Sequence, residues 1–169
     1  MKFLFVDRVT YLRRGERMSA VLALPPDLPI FAIHFPACPV LPASLILESF
    51  AQAATILIET GHDFTRKALV AYLRGAKFRQ AVHPPEPLDL DLIVEHWSED
   101  GALIDCRASQ SGALCASCDL GMKTAPLSSF YGAEHATAYR LLYERWLDGA
   151  SVEGFAVDPR RVLRDGHVL

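Results

Sequence analysis

The sequence predicts an α+β fold in which a largely antiparallel sheet wraps round one buried helix. Three observations predict it. Residues 43–60 read as a helix that is apolar nearly all round, the pattern of a helix enclosed by other structure. Leu88–Glu95 alternates apolar and polar side chains, as a strand with one wet face should. Glu99-Asp100-Gly101 and Ser109-Gln110-Ser111-Gly112 are turn sequences between strand-like runs, which makes consecutive hairpins and hence antiparallel pairing.

The elements follow in order. Residues 2–12 and 17–24 read as strands, interrupted by Arg13-Arg14-Gly15-Glu16, and form a hairpin. Pro25-Pro26-Asp27-Leu28-Pro29 is a loop, and the irregular stretch continues through His34. Pro36, Pro39 and Pro42 stiffen the approach to the helix and bias the residues before them towards extended backbone. Pro42 suits the first helical turn, where its missing N–H costs little. The helix ends at Gly61. Strand-like runs then cover Lys67–Arg79, Leu88–Glu95, Ala102–Ser109 and Ala113–Lys123. Pro126 ends this body, so residues 1–125 form a single domain and 126–169 an extension packed on it. Within the extension Gly132–Gly149 reads as a helix, with Tyr139, Leu142, Tyr143 and Trp146 at helical spacing. From Ser151 the chain reads as irregular, with Arg160, Arg161 and Arg164 clustered.

Composition narrows the functional classes. The 169 residues are 51% hydrophobic, enough for a core. A net charge of −3 offers no global argument for nucleic-acid binding. The N-terminus meets charge too soon to be a signal peptide. The longest apolar segment, Val40–Ile58, carries Pro42, Glu48 and Gln52, so it reads as a buried helix and not a membrane span. Cys38, Cys106, Cys115 and Cys118 are expected to be reduced thiols of a cytoplasmic protein. Cys115 and Cys118 sit three apart on a strand, pointing to opposite faces, and no second pair completes a zinc site. His62, His135 and His167 have no metal-ligand spacing, and no metal is expected. His62 is expected to face solvent after the helix-ending glycine, and His83 and His96 to be structural or superficial. There is neither a glycine-rich phosphate loop nor a G-x-S-x-G nucleophile elbow.

What remains is an imidazole and a carboxyl group at one helix. His34 lies in a stiff loop that feeds the helix N-terminus, a good place to bind an oxygen that becomes negative during a reaction. Glu48 lies one helical stretch further on, where burying a carboxyl group among apolar neighbours is expensive without a purpose. Gln52, one turn beyond on the same face, is spaced to hold that carboxyl group by a hydrogen bond.

His34-Phe35-Pro36 through Pro39-Val40 and Pro42, the fourteen-residue step to Glu48, and Ala51-Gln52-Ala53-Ala54 resemble the signature of the β-hydroxyacyl-acyl carrier protein dehydratases of bacterial fatty acid synthesis. Phe3–Val9 looks like that family's first strand, and Lys77-Phe78-Arg79 through Val82 and Pro84 like the strand and turn after its helix. The resemblance covers residues 1–124 and implies the hot-dog fold. It implies dehydration of a (3R)-hydroxyacyl thioester to a trans-2-enoyl thioester. His34 would be the base and Glu48 the acid, each from a different chain of a homodimer. The Ala43 N–H would be the oxyanion donor, with Pro42 and Gln52 beside the substrate. No cofactor is implied, because the chemistry is proton transfer. The substrate would arrive on the phosphopantetheine arm of an acyl carrier protein. Such carriers are acidic, so Lys77 and Arg79 are the expected docking residues, with Arg74 weaker. Where the family usually carries glycine, this chain has Ile33, Ala37 and Ala43. Two alternatives predict different chemistry: a hot-dog thioesterase, using an ionised Glu48 to activate water, and a non-catalytic acyl-carrier or acyl-binding protein.

Overall fold

The computed structural model describes residues 4–132, 143 and 146–154. Its strands are β1 (Arg8–Arg13), β2 (Arg17–Leu22), β3 (Arg66–Phe78), β4 (Leu88–Ser98), β5 (Gly101–Gln110), β6 (Ala113–Pro126) and β7 (Ser151–Glu153). The long helix α1 runs Ala43–Gly61. The sheet order is β3-β6-β5-β4-β2-β1-β7, antiparallel except for the parallel β1–β7 pair.

α1 is the pin round which the sheet closes. Ile46, Phe50, Ala53, Ala54, Leu57 and Ile58 are each at most 3% exposed and pack on the inward residues of the sheet. Burying a side chain the size of Phe50 or Leu57 contributes about 1.5–3 kcal/mol. The two alanines let the helix approach the strands closely. β4 supplies Leu88, Leu90, Leu92 and Val94 to the core by strict alternation. A register shift between Val94 and His96 then re-phases the strand, so His96 turns out and Trp97 turns in, fully buried.

The N-terminal strand starts later than its sequence predicts. Phe5 and Val6 are consecutive and both buried, so the chain cannot alternate faces there. Residues 4–7 instead pass over α1, where the Phe5 N–H donates to Gln52 Oε1 at 2.8 Å. The tail also differs from expectation. Ser151–Glu153 is not irregular but pairs with Tyr11–Arg13, and Tyr11 donates to Glu153 at 3.2 Å. Of the expected helix over 132–149, Tyr143, Trp146 and Leu147 are described and helical. Tyr139, Arg140, Leu142, Glu144, Arg145, His135, His167, Arg160, Arg161 and Arg164 lie outside the described residues.

β3 is an edge strand with an exposed apolar surface. Leu69, Val70, Tyr72, Leu73 and Phe78 are each 39–52% exposed. Among the described residues its one neighbour in the sheet is β6. The bulge between Arg74 and Lys77 holds Gly75 at φ +63°, a conformation that favours glycine. An apolar, unpaired edge of this length is a template for another strand.

Candidate active site

The loop before α1 is closed on itself. Val40 N–H donates to the His34 carbonyl and His34 Nδ1 meets the Val40 carbonyl, both at 2.9 Å. A carbonyl only accepts, so Nδ1 carries the proton and the neutral ring keeps its lone pair at Nε2. A second histidine buttresses the same loop: His83 Nδ1 meets the Pro39 carbonyl at 2.8 Å, and Leu41 N–H donates to the Val82 carbonyl at 2.8 Å. Gln110 fixes His83 in turn, through its backbone on both sides. The His34–Phe35 peptide bond is cis, and the two rings stack at 4.3 Å. His34 is half-buried, while Ile33 and Phe35 beside it are 72% and 58% exposed.

Pro42 caps α1 in extended conformation at ψ 138°. Its carbonyl accepts from Leu45 and Ile46. The N–H of Ala43, first in the helix, has no preceding turn to bond to and points out of the helix end. Ala43 and His34 line one cleft of about 400 Å³, whose other wall includes Phe78, Arg79 and Val82. Arg79 donates to Ser117 Oγ at 2.8 Å. Lys77 is exposed on β3. Arg74 is held by Asp119 at 3.1 Å, which neutralises it.

Glu48 lies elsewhere. It lines a second cleft, of about 490 Å³, along the face of α1 that carries Ala51, Gln52, Thr55 and Ile56. Gln52 Nε2 donates to Glu48 Oε1 at 2.9 Å while its Oε1 accepts from Phe5 N–H, so both ends of the amide are used. Within one chain His34 and Glu48 therefore open into different clefts.

Two residues of α1's far end do not follow from the sequence reading. Glu59 is fully buried. Lys67 Nζ and Ala68 N–H each approach it at 2.9 Å, and the Tyr143 hydroxyl donates to its other oxygen. An acidic residue eleven positions after Glu48, on the same helical face, was the available signal. His62 is not solvent-facing but 6% exposed, with its ring 4.6 Å from that of Trp97. Burial, with the Arg66 charge added, pushes its imidazole down from 6.5 to about 4. The chain turns inward here because Asp63 and Phe64 both adopt positive φ, folding the segment back under the helix end.

Among the described residues no cluster of three or more potential ligands could hold a metal ion. No helix among them is long and apolar enough to cross a membrane. Cys118 faces Cys106 across β5 and β6, away from Cys115, and that neighbour together with burial pushes the Cys106 thiol well up. These thiols are core packing, consistent with their shared face.

Residues 1–116 match the family model of the FabA-like domain. The chain is 36% identical over 118 residues to the 3-hydroxyacyl-[acyl-carrier-protein] dehydratase FabZ of Levilactobacillus brevis, covering 69% of this chain and 80% of that protein. It is also 36% identical over 127 residues to the FabZ of Thiobacillus denitrificans, covering 70% and 84%. Among solved structures it superposes on the dehydratase heterocomplex ApeI:P of Xenorhabdus doucetiae with a TM-score of 0.52 at 21% identity, covering 64% of this chain and 88% of that one. A hypothetical thioesterase with coenzyme A from Streptococcus pneumoniae gives 0.56 at 7% identity, covering 70% and 85%. Those two likenesses establish the hot-dog fold, and the sequence matches establish the lineage: the chain belongs to the FabA-like family of hot-dog dehydratases.

Proposed function

We propose that this protein dehydrates (3R)-hydroxyacyl groups carried on acyl carrier protein, giving trans-2-enoyl thioesters. The observation that carries the reading is the His34 Nδ1–Val40 bond, because it leaves Nε2 as a base in the cleft that Ala43 also lines. The relatives named as 3-hydroxyacyl-acyl carrier protein dehydratases support the same chemistry.

The steps follow from the side chains. Nε2 of His34 takes a proton from the carbon next to the thioester carbonyl. The carbonyl oxygen becomes enolate-like and is stabilised by the Ala43 N–H at the positive end of α1. The Glu48 carboxylic acid protonates the departing hydroxyl group, water leaves and the carbon–carbon double bond forms. The proton on His34 then returns to the Glu48 carboxylate through solvent. No cofactor enters, since no electrons are exchanged.

A base and an acid in different clefts need a second copy to meet. The apolar β3 edge favours that copy: two β3 strands pairing about a twofold axis would cover Leu69, Val70 and Leu73 and bring each His34 loop to the other chain's α1. Exposed Lys77 and Arg79, close to the His34 cleft, suit an acidic carrier at its mouth.

Mass spectrometry of a 3-hydroxyacyl-carrier protein tests the reading. Loss of one water with the wild type, absent with His34→Ala and with Glu48→Ala, is the expected result. The reverse reaction, hydration of the enoyl carrier, should follow the same pattern. Release of free carrier would instead identify a thioesterase, and no change in either direction a binding protein.

A further inference from the structure

The cleft that begins at Glu48 runs along α1 and ends against a wall that the family match does not include. That match stops at residue 116, whereas Tyr131, Tyr143 and Trp146 all lie beyond it and all line the cleft. The near end is polar, at Glu48 and Gln52, and the course along the helix passes Thr55 and Ile56. Along α1 the lining runs from Glu48 to Ile56, roughly 12 Å of helix axis.

This wall is built to stay in place. Tyr143 is 2% exposed and its hydroxyl is bonded to the buried Glu59 carboxylate, which Lys67 also holds. Its ring meets Phe64 edge-on at 4.9 Å and Trp146 at 5.3 Å and 87°. Aromatic pairs in such T-shaped contact resist displacement better than their area alone implies. Trp146 is half-buried and lines the cleft beside Tyr143. A fixed aromatic end on this cleft sets a length limit, because a chain too long for it must either displace the rings or leave methylenes in water.

We infer that Tyr131, Tyr143 and Trp146 close the acyl end of the Glu48 cleft and restrict the enzyme to short and medium 3-hydroxyacyl chains. The inference rests on the dehydratase reading for the identity of the occupant. The geometry also assigns specificity to the segment after residue 126, which the reaction itself does not use.

The test separates the two. Binding of hexanoyl-, decanoyl- and hexadecanoyl-pantetheine amides, which cannot react, is measured by calorimetry on the full chain. The wild type should bind the first two and reject the third. Trp146→Ala should raise the affinity for the hexadecanoyl amide at least about tenfold relative to the hexanoyl amide, the scale of a few methylenes in an apolar pocket. Thr55→Met, which fills the cleft from the helix side, should move the limit the other way and does so without touching the wall. An unchanged length limit in both variants, or no binding of any amide by the wild type, overturns the proposal. Turnover of 3-hydroxyacyl-carrier protein is measured in parallel. Absence of dehydration at every length would remove the reading of the reaction, while the amide series still decides whether the aromatic wall sets length.

Discussion

At the scale of the residue, the consequential atoms are single acceptors and donors. The Val40 carbonyl selects one tautomer of His34, and Gln52 ties the Glu48 carboxyl group to the backbone of Phe5. Gln52→Leu removes both ends of that tie. It should lower kcat on the order of 10²-fold by loosening Glu48, with KM changed far less. It should also cost about 1–3 kcal/mol of stability by removing the side-chain acceptor of the Phe5 N–H. Steady-state kinetics and urea unfolding check the two effects separately. The Gln52–Glu48 hydrogen bond was legible in the sequence because helical periodicity is local. His62 was not, because its burial depends on Trp97, thirty-five residues away and turned inward by a bulge that no local pattern announces. Its pH consequence is specific. The folded state holds His62 neutral, with its pKa down at about 4, while the unfolded chain titrates near 6.5. Its stabilising share is therefore complete above that upper value and is lost as pH falls towards the lower one. The melting temperature should drop across this window, and His62→Phe should flatten that slope. Equal slopes in the two proteins would assign the acid sensitivity to other groups.

At the scale of the element, α1 has two polar ends and an apolar middle. Glu48 and Gln52 make one end polar and the buried Glu59 the other. Glu59 anchors the start of β3 through Ala68 and Lys67 and draws Tyr143 onto the domain. Glu59→Leu removes the buried carboxylate that Lys67, Ala68 and Tyr143 all meet, so it should destabilise by about 3–5 kcal/mol, read by urea unfolding. Glu59→Leu combined with Lys67→Met should recover part of that loss, since no charge is then stranded. The helix was legible as enclosed from its composition, and its bounds differ by one residue from those predicted. The strands after it were legible from alternation and turn chemistry. β7 was not, because three residues carry too little pattern and its partner β1 is 140 residues earlier. The late start of β1 was hidden for a related reason: Gln52 outcompetes β2 for the Phe5 N–H, and that contact is tertiary.

At the scale of the whole molecule, a single chain opens His34 into one cleft and Glu48 into another. The exposed apolar strand β3, the exposed Ile33 and Phe35 beside His34, and the separation of the two clefts would be explained together by the twofold dimer proposed above. The most direct test mixes two inactive variants, His34→Ala and Glu48→Ala, after partial unfolding and refolding to exchange subunits. If each site takes His34 from one chain and Glu48 from the other, a mixed dimer has one site with both groups intact. Dehydration should then return to about a quarter of the wild-type rate at equal mixing, since half the dimers are mixed and each carries one of two sites. Recovery should track the fraction of mixed dimers seen by native mass spectrometry. Mixed dimers that form and stay inactive would contradict the shared site and place acid and base within a single chain.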